Sequence, residues 1–294
     1  MQYFEKSGND LIFRGNGETL MISPWGKNSL RVRSCMLSDI EESVGALLAC
    51  EKSECEIVID EWHASIQNGS IRAELSAKRW DYGVHIVFKN SDGKVLLQEI
   101  TSGGAMHRRA RHFKALTGGT FRLKASFIPE KGEKIYGMGQ YQQEIMDLKG
   151  CSLELAQRNT QASVPFYISS IGYGFLWNNP AIGEVHFGTN ETQWMAECTK
   201  QLDYWITAGD TPAEIERAYA AATGKTPMMP EHGLGFWQCK LRYYNQEQVL
   251  AVAREYKKRN IPLDVLVIDF YHCLLANGME KTCGSTTTIV RWAS

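Results

Sequence analysis

Several things are scarce in this sequence, and each absence narrows the reading. No two of its eight cysteines form a CxxC pair. They lie scattered at Cys35, Cys50, Cys55, Cys151, Cys198, Cys239, Cys273 and Cys283. That spacing argues against a zinc site or a disulfide framework and for reduced thiols in a cytoplasmic protein. No apolar run approaches membrane-spanning length. The start, Met1 to Glu5, has no basic region followed by an apolar core, so no secretory signal is expected. Net charge is also close to nil, at −1, which gives no field favouring nucleic acid or an anionic membrane. One basic run stands out, His107, Arg108, Arg109, Arg111 and His112. Aromatic interleaving for base stacking is missing there, and a solvated loop is expected. What remains is a chain of 294 residues and 44% hydrophobic composition, enough to fold as one large domain or two ordinary ones.

The first half alternates with period two. Leu30, Val32 and Cys35 open the pattern, followed by Cys55, Ile57 and Ile59, and then Ile71, Ala73 and Leu75. Tyr82, Val84, Ile86 and Phe88 continue it, and Phe121, Leu123, Ala125 and Phe127 carry Arg122, Lys124 and Ser126 between them. Such alternation marks antiparallel strands with one buried and one wet face. Asn68-Gly69 and the Asn90 to Gly93 run are hairpin signals between them. Many strands without helical segments imply a β-sandwich.

From Lys134 to Trp205 glycines, aromatics and amides interrupt one another. Gly137 and Gly139 lack a third glycine, a helix start and an acidic residue in register, so they are read as turn glycines and not as a dinucleotide loop. The stretch from Gly139 to Asn159 is either an idle connection or a loop reaching toward a neighbouring site. Gln140 and Gln142 are its candidate ligand contacts. Tyr167, Tyr173, Phe175 and Trp177 are expected in the core.

Asp210-Thr211-Pro212 with Glu214 starts a helix whose apolar face is Ile215, Ala218, Tyr219 and Ala222, ending at Gly224. The prolines up to Pro230 mark a boundary. Gly233 to His272 then reads as strand, helix, strand. Asn245 and Gln248 form a capping box, and Val249, Leu250, Val252, Ala253 and Tyr256 make one face. Lys257 to Asn260 and Pro262 end the helix. Leu263 to Ile268 is apolar on both faces apart from Asp264, as in a covered parallel strand. Asp269, Phe270, Tyr271 and His272 follow at the strand's carboxyl end, the edge where α/β folds do chemistry.

The run from Thr211 to His272, with the Lys134 to Gln140 motif and the Asn159 to Asn178 motif, resembles glycoside hydrolase family 31, the retaining α-glucosidases and α-xylosidases. The resemblance covers 134–272 well and 1–133 only by strand pattern. It implies a mainly β protein: a galactose-mutarotase-like β-sandwich over 1–230, the first βαβ unit of an incomplete (β/α)8 barrel over 231–272, and an aberrant tail over 273–294. It implies a carbohydrate substrate, an α-xyloside or α-glucoside, and no cofactor or metal. Asp269 matches the aspartate that binds sugar hydroxyls in the cleavage subsite, where charge-assisted hydrogen bonds hold vicinal hydroxyls. A strand-end cap is its alternative role. Phe270 and Tyr271 shape the same pocket or pack under the next loop, and Trp237 is expected in the barrel interior. The nucleophile and the acid/base of the family match no residue of this chain, so no turnover is expected from it. After His272 the family pattern breaks, and a truncation or frame change near Cys273 is expected. Two open strand edges would leave Leu266, Ile268 and Val249 partly exposed and the region after Pro230 prone to aggregate. Asp269 to His272 resembles the xylosidase-type subfamilies somewhat more. A non-catalytic carbohydrate-binding module is the alternative. A mutarotase would need a His and Glu pair that His63, His85 and His186 do not offer.

Overall fold

The computed structural model describes residues 3–42, 45–50, 53–77, 83–100, 109–241 and 243–268, and the backbone of 288–291. The chain divides between Lys225 and Thr226 into two compact units.

In the first unit the chain begins with β1 (Phe4–Ser7), β2 (Asp10–Gly15), β3 (Glu18–Pro24) and β4 (Ser29–Met36), a meander whose last strand holds the first alternating segment read from the sequence. It continues through β5 (Glu56–Ile59), β6 (His63–Asn68), β7 (Ile71–Ala77), β8 (Val84–Asn90), β9 (Val95–Glu99), β10 (Arg111–Ala115) and β11 (Phe121–Ile128). Then come β12 (Ile135–Gln140), β13 (Ser152–Leu155), β14 (Ala162–Ser169), β15 (Tyr173–Trp177), β16 (Gly183–Phe187), β17 (Thr192–Thr199), β18 (Gln201–Ala208) and the helix α1 (Pro212–Thr223). One sheet runs β1-β2-β3-β4-β18-β15-β14-β12. The other runs β13-β16-β17-β11-β9-β8-β7-β6-β5, with β10 beside the first half of β11. Every pairing in both is antiparallel, which is why the period-two signal was strong.

The sheets face each other across one aromatic core. Phe127 and Phe88 from the second sheet meet Tyr204 of the first edge-on at 5.9 and 6.3 Å, and Trp177 stacks on Trp194 at 5.4 Å. Edge-on and offset contacts of this kind add to area burial. Tyr167, Tyr173, Phe175 and Trp177 are buried, as expected. Asn68 also ties the sheets at the β6–β7 hairpin, donating to the carbonyls of Gly26 and Ser29, each at 2.7 Å.

The first sheet departs from the expected wet outer face. β4, β15 and β18 are buried on both sides. Over β15 and β18 the reason is α1, which lays Ile215 and Ala222 on Phe166, Leu176 and Trp205, with Tyr219 stacked on Phe166 at 3.9 Å. Gly174 allows that approach, since a Cβ there would stand 2.5 Å from the Ile215 side chain. α1 starts with the expected box: Thr211 caps the Glu214 amide, and the Glu214 carboxylate reaches back to Thr211 N. Beside α1's partners, Arg31 makes a two-pronged bond to Asp203 at 3.0 and 2.6 Å and shares Glu42 with Arg33.

The basic run is corrected at Arg111, while Arg109 and His112 are exposed, as expected. Arg111 is no solvated side chain but a buried one, between Glu18 (2.6 Å) and Glu99, with Nη2 donating to the Val84 carbonyl at 2.9 Å. It opens β10, whose pairing with β11 turns it inward. His107 and Arg108 lie outside the described residues, as does Tyr82.

The second unit holds β19 (Trp237–Lys240), α2 (Gln246–Lys258), β20 (Val265–Ile268) and β21 (Thr288–Arg291). β19 and β20 are parallel with α2 as the crossover, the βαβ unit expected. Asn245 caps the Gln248 amide at 3.0 Å, while the Gln248 side chain accepts from Tyr244 N and not from the cap itself. Asn260 ends the helix at φ 55°, with Ile261 N bonded to Tyr256 O and Asn260 N to Lys257 O, the bond pair of a Schellman cap. β21, inside the tail, pairs antiparallel with β20. Leu266 is buried, contrary to its expected partial exposure, because Ala253 and Tyr243 close over it. Val249 and Ile268 are half-buried, as expected. Trp237, expected inside a barrel, is 43% exposed.

Candidate functional site

The first candidate is the carboxyl edge of the two parallel strands. Trp237 pairs with Val265 and Lys240 with Ile268, so both strands end at one level. Asp269, Phe270 and Tyr271 come next in the chain and lie outside the described residues. Around that edge, buried Tyr243 donates its hydroxyl to Gln238 Oε1, and the Lys240 ammonium sits 5.7 Å from the Tyr243 ring centre. Burial pushes the Tyr243 phenol up from its ordinary value, against the pull of the Gln238 bond, so it stays a neutral donor at pH 7. The sequence reading passed over this pair, although a tyrosine five residues after a strand glutamine is a visible signal.

The other carboxylate of the β20 stretch belongs to the opposite end. Asp264 Oδ2 accepts from Phe236 N at 2.9 Å, and a Cβ on Gly235 would come within 2.1 Å of it. Asp264 therefore fixes the strand starts. Glu247 and Glu255 are on α2, with Glu255 bonded to Arg259 at 2.7 Å. Among the described residues of this unit no carboxylate pair stands at the strand ends.

Gln140 and Gln142 belong to the first unit. Gln140 is the exposed last residue of β12, opposite Ala162, and Gln142 donates to Thr160 Oγ1. Tyr141 between them is the anchor: its hydroxyl bonds the Glu154 carbonyl at 2.7 Å and Ser163 Oγ at 2.8 Å. Half-burial raises the Tyr141 phenol above its usual value. Gln157 clasps Ser163 through both amide atoms, at 2.9 and 3.0 Å, and Arg158 holds Glu154 with a two-pronged bond. The segment from Gly139 to Asn159 is thus a built structure that includes β13, not a free loop.

Gly137 and Gly139 are not turn glycines. Both sit inside β12 at a register shift, with φ of 122° and 87°, and Met138 between them is buried at φ 68°. A Cβ on Gly139 would meet the Ala162 carbonyl at 2.2 Å. The bulge bends the strand end that carries Gln140 and leads on to Gln142.

With this geometry in place, the comparisons with known proteins agree across both units. A sequence profile described as "Glycosyl hydrolases family 31 TIM-barrel domain" matches residues 226–290. A relative from Pseudescherichia vulneris, "Uncharacterized family 31 glucosidase ORF2", is 49% identical over 281 residues, which is 90% of this chain and 52% of that protein. The chain belongs to glycoside hydrolase family 31. An "Alpha-xylosidase" of Saccharolobus solfataricus is 32% identical over 190 residues, covering 61% of this chain and 26% of its own length. Among solved structures, "GH31 alpha-xylosidase from a soil metagenome complexed with xylose" superposes with a TM-score of 0.81 at 46% identity, over 90% of this chain and 40% of that one. The family 31 chain therefore spans about half the length of the first relative and less of the others. The profile match runs to residue 290, into the tail that the sequence reading set apart.

Proposed function

We propose that this family 31 chain carries the sandwich and the opening barrel strands of a retaining α-glycosidase for α-linked xylosides or glucosides, with the xyloside preferred. The observation that supports it is the parallel β19–α2–β20 unit, which ends both strands at one edge immediately before Asp269. In this reading the Asp269 carboxylate accepts from vicinal sugar hydroxyls, and Phe270, Tyr271, Gln140 and Gln142 shape the surroundings. The xyloside preference draws on the names of the similar α-xylosidases. Residues 1–230, 231–272 and 273–294 are the sandwich, the barrel opening and the tail.

Cleavage with retention uses two carboxyl groups about 5–5.5 Å apart, one as nucleophile and one as acid/base. Nothing described at the β19–β20 edge supplies such a pair, so this chain binds sugar without turning it over. Its compartment is the cytoplasm, on the scattered cysteine pattern. The test is a titration with methyl α-xyloside and methyl α-glucoside, run beside an aryl α-xyloside assay. Asp269→Asn is expected to weaken binding by about tenfold or more, since charge-assisted hydrogen bonds contribute about 1.5–3 kcal/mol. Turnover by the pure chain would sink the binding-only statement, and unchanged affinity in Asp269→Asn would sink the role of Asp269.

A further inference from the structure

We infer that the first unit carries a second carbohydrate site, a neutral-sugar groove framed by Gln157, Ser163, Pro165, Asn178, Asn179 and Ile182. The groove is about 520 Å³, inside the range of roughly 300–1,000 Å³ usual for small-molecule sites. It lies where the end of β13, the start of β14 and the 178–182 turn meet the 45–46 segment.

Its chemistry is unlike that of the other surface grooves. Not one of its lining side chains is ionisable. The groove at Arg14, Glu18 and Asp39, and that at Arg72, Glu74 and Lys89, are both charged. A charged ligand entering the neutral groove would lose water without gaining a counter-charge. A neutral ligand with hydroxyls on its edges and C–H groups on its faces fits both halves of the lining. The amides and Ser163 supply polar contacts, and Leu155, Pro165, Leu176 and Ile182 supply apolar ones. A pyranose has that pattern.

The polar groups are held in place before any ligand arrives. Asn178, buried, accepts from Ala46 N at 2.9 Å and donates to Asp203 at 3.0 Å. Asn179 donates to Thr199 Oγ1 at 3.1 Å and accepts from Ala181 N at 3.0 Å. Gln157 is locked to Ser163. Among the described residues each amide oxygen accepts a single hydrogen bond and keeps a second lone pair for a ligand hydroxyl. Fixed orientation of this kind lowers the entropic cost of binding. On the groove wall the buried Trp177 indole N–H meets no acceptor among the described residues, so it is a donor already stripped of water. The ring stacks on Trp194, which makes this pair an optical reporter of the groove.

This proposal uses residues of the first unit only, and the experiment distinguishes it from the role proposed for Asp269. The intact chain is titrated with methyl α-xyloside, methyl α-glucoside and glucuronate, read by saturation-transfer NMR and by tryptophan emission. The variants are Ile182→Glu and Asp269→Asn. Ile182 is 62% exposed, so a charge there costs little fold stability, which a thermal melt checks. The expected result is saturable binding of the neutral pyranosides with an emission change. Binding should be about tenfold weaker in Ile182→Glu, unchanged at this site in Asp269→Asn, and weaker for glucuronate than for the neutral sugars. Binding lost in Asp269→Asn and kept in Ile182→Glu overturns the groove while upholding the Asp269 site. The absence of saturable binding, or glucuronate binding as tightly as xyloside, overturns it as well.

Discussion

Removing the Arg111 guanidinium should be among the most damaging single changes to the sandwich. Arg111 is buried with Glu18 and Glu99 on either side, and both carboxylates are buried too. The rest of their bonding is also internal: Ser34 Oγ donates to Glu18 at 2.6 Å, and Ile86 N donates to Glu99 at 3.0 Å. Arg111→Met keeps much of the volume and leaves two carboxylates facing one another without a cation. Breaking a buried pair by taking one partner away costs about 3–5 kcal/mol. For a unit of this size that is a fall in Tm of about 6–20 °C.

The same change fixes the pH dependence. Burial already pushes the Glu99 carboxyl above its usual range, against the opposing pull of Arg111, with Glu18 adding to the rise and His85 opposing it. Without Arg111 that rise grows. A carboxyl whose folded value lies above its unfolded value binds the proton more tightly in the folded state, so stability falls as pH rises through that window and returns below it. The deficit of Arg111→Met relative to the parent should therefore be largest at pH 7 and shrink toward pH 5. Urea unfolding at pH 5, 6 and 7 measures it. A deficit under about 1 kcal/mol at pH 7, or one that widens in acid, would refute the account of Arg111 as the neutralising cation. The triple change with Glu18→Gln and Glu99→Gln should recover part of the loss.

Three further outcomes follow from the geometry. Gly139→Ala forces a side chain into φ 87° with its Cβ 2.2 Å from the Ala162 carbonyl, and should cost about 1–3 kcal/mol in urea unfolding; a neutral result would mean that the bulge relaxes freely. Thr211→Ala removes the cap of α1 and should cost about 1 kcal/mol, seen as a shift in urea midpoint at unchanged slope. Trp237→Lys replaces an exposed aromatic on β19 with a charge and should leave the melting profile in place while lowering the weight-average mass in sedimentation; an unchanged mass would rule out β19 as a self-association edge.

The sandwich was legible because alternation is local: β6, β7, β8 and β11 each display their buried face every second residue. β15 and β18 were less legible, since a strand buried on both faces has no alternation, and what covers them is α1, an element outside either strand. Arg111 misled for the same reason. In sequence it is one more basic residue in a basic run, and its partners Glu18 and Glu99 sit 93 and 12 positions away. The β12 glycines failed differently: their constraint is the carbonyl of a neighbouring strand, which no window around Gly139 contains. Caps, by contrast, are written within four residues, and Thr211, Glu214 and Asn260 were all read correctly. The candidate site divides along that line. Asp269 is a proposal the sequence alone could raise, because a strand end and a family motif are both local, whereas the neutral groove is assembled from four separated segments. A carbohydrate site made only of amides and aliphatic side chains leaves no chemical signature in sequence, so its detection rests on the fold that brings Gln157 and Asn179 to one wall.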